Sequence, residues 1–288
     1  MIAAGLEERS IQTNGIRLHV VQAGPMDGPL VVLLHGFPEF WYGWRKQIEP
    51  LAKAGYRLAV PDQRGYNLSE VPKDVSAYRM EELVRDVVGL LDALGRADCY
   101  LVGHDWGASV AWATAMAHPE LVKKLAILNV PHPAVMLEYL RRHPSQMVKS
   151  WYIGFFQIPG LAEWLASRND YTQAARALVG SSRPGTFTDE DLAEYKRAWN
   201  NSGGFAGMIN WYRALARYRP AAPMDPCLRM PVRILWGVHD AFLNHKMAHA
   251  SAGFCNQAEV TLFEDATHWV QHEEAQAVNS ALLAFFSE

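Results

Sequence analysis

Gly103-His104-Asp105-Trp106-Gly107 sets a carboxylate at the tip of a nucleophile-elbow pattern. Such an elbow is a sharp strand-to-helix turn whose glycines leave room for a strained, exposed central residue. Residues 99–102 predict a short buried strand before it, and residues 108–118 predict a helix that stops at Pro119. A carboxylate is a poor acylating nucleophile. It is a workable one at a saturated carbon bearing a leaving group, where it forms a covalent alkyl ester. The start of the following helix favours the ionised, attacking form of Asp105. That ester must be cut by water, which calls for a neutral base and a group to orient it. Ala266-Thr267-His268-Trp269 follows the last predicted strand, and Trp236-Gly237-Val238-His239-Asp240 follows the strand before it. His268 is therefore the expected base and Asp240 its partner.

The elements that must position these groups follow a regular scheme. Residues 11–21 predict a β-hairpin with Asn14-Gly15 as its tight turn. Residues 30–34 form a continuous apolar run suited to a strand buried on both faces, and residues 56–61, 125–129, 232–236 and 259–263 have the same style. Helical patterns such as residues 80–94 separate several of them, so an α/β fold with a mostly parallel sheet flanked by helices is expected. The alternation breaks between about residues 131 and 223, where no strand is evident and the helices are rich in aromatics. One is expected from about Ser145 through Met147, Val148, Trp151, Tyr152 and Phe155. A second follows the capping Thr188 with acids at Asp189, Glu190 and Asp191, and a third runs from about Phe205 to Tyr218. The expected organisation is a core in two parts, residues 1–130 and 224–288, with a helical cap at 131–223. The chain order nucleophile, acid, histidine is that of the α/β-hydrolase fold. In that fold His35-Gly36-Phe37-Pro38 supplies one oxyanion-hole amide, at Phe37, and the residue after the nucleophile supplies the other, at Trp106.

The motifs His35-Gly36-Phe37-Pro38-Glu39-Phe40-Trp41 and Asp62-Gln63-Arg64-Gly65-Tyr66-Asn67, with the Asp105 elbow, resemble the soluble epoxide hydrolase family of α/β-hydrolases. Two cap segments extend the resemblance over nearly the whole chain. Tyr152-Ile153-Gly154-Phe155-Phe156-Gln157-Ile158-Pro159-Gly160 is similar to the family's first cap tyrosine motif, and Gly204-Phe205-Ala206-Gly207-Met208-Ile209-Asn210-Trp211-Tyr212-Arg213 to its second. The resemblance implies conversion of a small apolar epoxide to a vicinal diol by water, with no metal or organic cofactor, and implies Tyr152 and Tyr212 as the groups that hold the epoxide oxygen. Opening the ring creates an alkoxide, and a phenol with an ordinary pKa near 10 can donate to it while staying protonated at neutral pH. Met208, Tyr212 and Leu215 fall at spacings of four and three, so Tyr212 lies along an apolar stripe. Trp106, Trp151, Phe155, Phe156 and Trp269 are the expected apolar pocket walls. Asn67 stands where many relatives carry glycine, a change not expected to touch the chemistry.

Other readings remain open. The Asp, His and acid set also suits a dehalogenase, whose halide needs N–H donors. Trp106 could be one, and Trp151 or Trp164 the second, since Phe37 stands where one dehalogenase group has asparagine. A non-catalytic ligand-binding member of the fold is a third reading, because fold does not fix function. Glu39 reads either as an orienter of water or as a solvated loop carboxylate. His239, His245, His249 and His272 read as surface or packing residues, and His35 and His104 as structural. A net charge of -3 gives no reason to expect nucleic acid or an anionic membrane as partner. Three cysteines without metal-ligand or paired spacing, and no signal-like apolar start, point to the cytoplasm. Oligomeric state leaves no trace in the sequence.

Overall fold

The computed structural model describes residues 5–201, 203, 205–220 and 225–288. Gly204 of the second tyrosine motif and the expected cap boundary at 223 and 224 lie outside the described residues. Asn14 and Gly15 both take positive φ, 44° and 73°. That two-residue turn matches strand twist and joins β1 (Glu7–Thr13) to β2 (Ile16–Ala23). Then come β3 (Leu30–Leu34), β4 (Arg57–Pro61), β5 (Cys99–His104), β6 (Val122–Leu128), β7 (Val232–Gly237) and β8 (Ala258–Phe263). All residues of β3 and β4 are buried, as expected for strands covered on both faces.

The strand order is β1-β2-β4-β3-β5-β6-β7-β8, with β1 and β2 antiparallel and every pairing from β4 onward parallel. The chain moves outward from β3 to β4, then returns to lay β5 on the other side of β3. This reversal opens a crevice at the carboxyl ends of β3 and β5, the place where open α/β sheets gather ligands. Leu34 pairs with Gly103 there, so the loop carrying Phe37 rises beside Asp105.

Between β6 and β7 the described residues contain helices and no strand. They are Pro133–Arg142, Pro144–Lys149, Trp151–Phe155, Leu161–Gly180, Asp189–Asn200 and Phe205–Arg217, the fourth interrupted by non-helical residues 168–171. The capping box at Thr188 and Asp191 starts the fifth as its sequence predicts. The single helix expected from Ser145 to Phe155 is instead two short ones that break at Ser150. Side chains just before the break are tied down to the loop after β7: Gln146 donates to the Phe242 carbonyl at 2.8 Å and Lys149 to the Asp240 carbonyl at 2.6 Å. The helical segment docks through buried aromatics with polar tips. Trp211 donates to the Arg64 carbonyl at 2.9 Å, Trp199 to the Pro38 carbonyl at 2.6 Å, and Asn201 to Asn67 at 2.8 Å. No helix among the described residues is long and apolar enough to cross a membrane.

Candidate active site

β5 ends at His104 and the next helix, Trp106–Ala117, begins at Trp106, which leaves Asp105 alone at the turn with φ 51° and ψ −123°. A β-carbon on Gly107 would lie 2.1 Å from the Leu34 carbonyl oxygen, and one on Gly36 would lie 2.2 Å from Asp105 Cβ. Only glycine allows the elbow and the β3 loop to approach this closely. The result is a direct contact: the Phe37 amide donates to Asp105 Oδ1 at 2.7 Å.

His268, from the loop after β8, places Nε2 3.4 Å from Asp105 Oδ2 and Nδ1 2.8 Å from Asp240 Oδ2. Asp240 is fixed in turn. Its Oδ1 accepts from the Phe242 and Leu243 amides at 2.7 and 2.9 Å, and its Oδ2 accepts from Asn129 at 2.8 Å. Asn129 follows β6, is buried, and holds a positive φ of 56°. It is a member of the site that sequence reasoning passed over as a strand end. An asparagine closing an otherwise apolar buried run was the available signal.

The charges of these groups are interdependent. Burial pushes His268 toward its neutral form, but Asp240 and Asp105 outweigh burial and raise its pKa from 6.5 to about 10. Burial likewise raises Asp105, yet its hydrogen bond to His268, the charges of His268 and His104, and the Phe37 amide hold it below the ordinary carboxylate value. Asp240 is depressed against burial by His268, Asn129 and the Leu243 amide. These shifts together favour an imidazolium held between two carboxylates.

Tyr152 and Tyr212 form the ceiling. Their rings meet edge to face at 5.8 Å, and Tyr212 also packs on Trp106 at 5.0 Å and on Phe37 at 5.3 Å. Burial, and after it the negative charge of Asp105, pushes both phenols far above 10. Both therefore stay protonated donors.

The expected walls divide. Phe156 lines the site, 4.8 Å from Tyr212 and 5.4 Å from Phe37. Trp106 does so too. Trp269 is buried behind the site, edge-on to the His268 ring at 5.3 Å and against Phe187 at 5.7 Å. Trp151 does not line the site: it is 68% exposed, as is Trp164 at 54%. The reason is geometric, since neighbours on a helix point about 100° apart and Tyr152 takes the inward direction. Phe155 is half-buried, packed against the core and touching the Trp151 and Phe156 rings. Phe242, not anticipated, fills the gap between His268 at 5.1 Å and Tyr152 at 5.8 Å.

Glu39 is not a solvated loop residue, being 1% exposed. It accepts from Tyr195 at 2.6 Å, from His272 Nε2 at 2.7 Å and from Gln271 at 3.0 Å. Despite burial, His272 and His104 hold its carboxyl well below the usual range. Of the two readings of His272, surface or packing, burial selects the second: it packs on Phe187, joins the polar network around Glu39, and accepts at Nδ1 from Arg45 at 3.0 Å. His104 joins this network to the site by donating to the His268 carbonyl at 2.8 Å. His35 is structural as expected, its Nε2 accepting from the Gln63 amide at 3.0 Å.

Comparison with known proteins agrees with this geometry. Residues 29–275 match the family model of the alpha/beta hydrolase fold. The chain is 44% identical over 281 residues to the AB hydrolase superfamily protein YfhM of Bacillus subtilis, covering 98% of each. It is 38% identical to epoxide hydrolase 4 of Mus musculus, over 96% of this chain and 78% of that protein. Among solved structures it resembles a variant of an epoxide hydrolase from Bacillus megaterium complexed with its product, a naphthyloxy-propanediol. The TM-score is 0.90 at 31% identity, covering 97% of this chain and all (100%) of that one.

Proposed function

The chain belongs to the alpha/beta hydrolase family, among its epoxide hydrolases, and on that premise we propose that it converts apolar epoxides to vicinal diols through a covalent ester on Asp105. One observation carries the reading. A carboxylate held below its ordinary pKa by His268 and the Phe37 amide lies near enough to two protonated phenols for its charge to act on both.

Asp105 attacks one ring carbon while Tyr152 and Tyr212 donate to the oxygen as its bond to that carbon breaks. The opened oxygen takes a proton, the carboxylate charge vanishes into the ester, and His268 loses one of the two anions that kept it protonated. One of the two phenols gives that proton, and the proton lost by His268 restores the phenol. Neutral His268, oriented by Asp240, then takes a proton from water, and the resulting hydroxide adds to the ester carbonyl. The amides of Phe37 and Trp106 are suited to hold the oxyanion. Collapse expels the diol with a proton from His268, and the Asp105 carboxyl returns its own proton to that histidine.

The test is His268→Gln incubated with a small panel of epoxides, styrene oxide included. Turnover should stop while the intact protein gains the mass of one epoxide. No adduct with any epoxide that the wild-type protein hydrolyses would refute the scheme. The dehalogenase reading is disfavoured because Trp151 and Trp164, its candidates for a second halide donor, face solvent. Halide release from chloroalkanes or bromoalkanes would revive it.

A further inference from the structure

Two phenols on separate cap segments must meet at one oxygen atom, and the first of them rides on a short stretch that is buried on one side only. Tyr152 lies on the five-residue helix Trp151–Phe155, preceded by the six-residue helix Pro144–Lys149. Helices this short have no stability of their own. Met147, Val148, Trp151 and Ile158 of this stretch all face solvent. Tyr152, Ile153, Phe155 and Phe156 pack inward, and a set of polar ties fixes the backbone between them and Tyr212. Arg213, next in the chain to Tyr212, is buried with its guanidinium turned toward the Tyr152 segment. Its Nε donates to the Phe156 carbonyl at 3.1 Å and its Nη2 to the Ile158 carbonyl at 3.3 Å. Its Nη1 donates to Glu163 at 2.6 Å and to Asn210 at 3.2 Å. Gln157 completes the tie from the other side, donating at 3.1 Å to both the Ile153 and the Tyr212 carbonyls.

We propose that Arg213, seconded by Gln157, is a positioning residue that sets the distance between Tyr152 and Tyr212 and so the speed of epoxide ring opening. The inference rests on the function proposed above. The guanidinium clamps the backbone just after Tyr152 to the backbone that carries Tyr212. Adjacent helix positions point in different directions, so residue 212 reaches the reacting oxygen while residue 213 holds the partner segment. Ester hydrolysis uses His268, Asp240 and two core amides, none of which the clamp touches. A displacement of about 1 Å in a positioned group can cost about 100-fold in rate, and here that cost falls on one of the two chemical steps only.

The experiment measures adduct formation by intact mass in the His268→Gln background, alone and combined with Arg213→Gln or Arg213→Lys. Arg213→Gln should slow adduct formation about 10- to 100-fold, and Arg213→Lys, which keeps the charge and donors, should recover part of that loss. In the chain with His268 intact, decay of the preformed ester should be the same with Arg213→Gln as without it. An unchanged rate of adduct formation in Arg213→Gln, or equal slowing of both steps, would overturn the proposal. If Arg213→Gln fails to fold, Gln157→Ala, which removes only the lighter tie, decides by the same split. Absence of any adduct in the His268→Gln parent would instead sink the proposed function itself, so the two failures are told apart.

Discussion

The strongest handle on the proposed chemistry is pH, because ester hydrolysis needs His268 neutral and adduct formation does not. In the resting site its imidazole lies 2.8 Å from Asp240 and 3.4 Å from Asp105, and its pKa is raised from 6.5 to about 10. That rise corresponds to about 5 kcal/mol of preference for the charged form. Esterification erases the Asp105 charge and its hydrogen bond, so part of that preference goes, while burial, which opposes the charge, remains. His268 of the ester therefore ionises below about 10, closer to neutrality. Adduct formation needs only ionised Asp105, held below the ordinary carboxylate value, and should be flat from about pH 6 to about pH 9. Ester hydrolysis should climb about tenfold per pH unit and then level off where His268 becomes neutral.

Rapid mixing with an epoxide, acid quench and intact-mass analysis give both rate constants at each pH. Asp240→Asn serves as the control. It removes the remaining anion and leaves the histidine badly oriented, so hydrolysis should fall by as much as about 10⁴-fold with adduct still forming. A hydrolysis rate constant that stays level from about pH 5 to about pH 9, or a steep arm found in adduct formation instead, would show that His268 is not the base.

Tyr152→Phe and Tyr212→Phe should each slow adduct formation about 100-fold and leave decay of the preformed ester within about twofold; slowed decay would mean that the phenols serve the second step. Asn129→Gly keeps the positive φ accessible but removes the donor to Asp240. A hydrogen bond to a buried charge is worth about 1.5–3 kcal/mol, so ester hydrolysis should slow roughly 10- to 100-fold, and a rate equal to wild type would remove Asn129 from the site. Trp151→Ser should leave kcat/KM within about twofold, as for other surface changes, and a tenfold loss would put Trp151 back among the pocket walls.

What could be read in advance follows a physical division. Asp105, Phe37, Asp240 and His268 each sit in the loop that follows a strand, and strand ends are written locally in apolar runs and in glycines that permit close approach. The Asn14-Gly15 turn is legible for the same reason. Trp151 was misplaced because a five-residue helix has too few turns to show a period, so neither aromatic neighbour is marked as the inward one. Glu39 and His272 stay ambiguous in the sequence because what makes them buried network members arrives from distant positions, Tyr195, Gln271 and Arg45. Asn129 lies between these cases, visible as an oddity at the end of a strand but given meaning only by Asp240 across the sheet.

The same division separates the chemistry into parts that can be altered independently. In the proposed scheme the nucleophile, base, acid and oxyanion amides all come from core loops at the strand ends, whereas both phenols come from the inserted helices. The core parts act on the ester, which is the same carboxylate derivative whatever epoxide made it. The inserted helices would act on the leaving oxygen and on the group attached to it, through Tyr152, Tyr212 and Phe156, whose rings meet. Substitutions in those helices should therefore change which epoxide is opened, and how fast, while the rate of ester cleavage for a given adduct stays where His268 sets it.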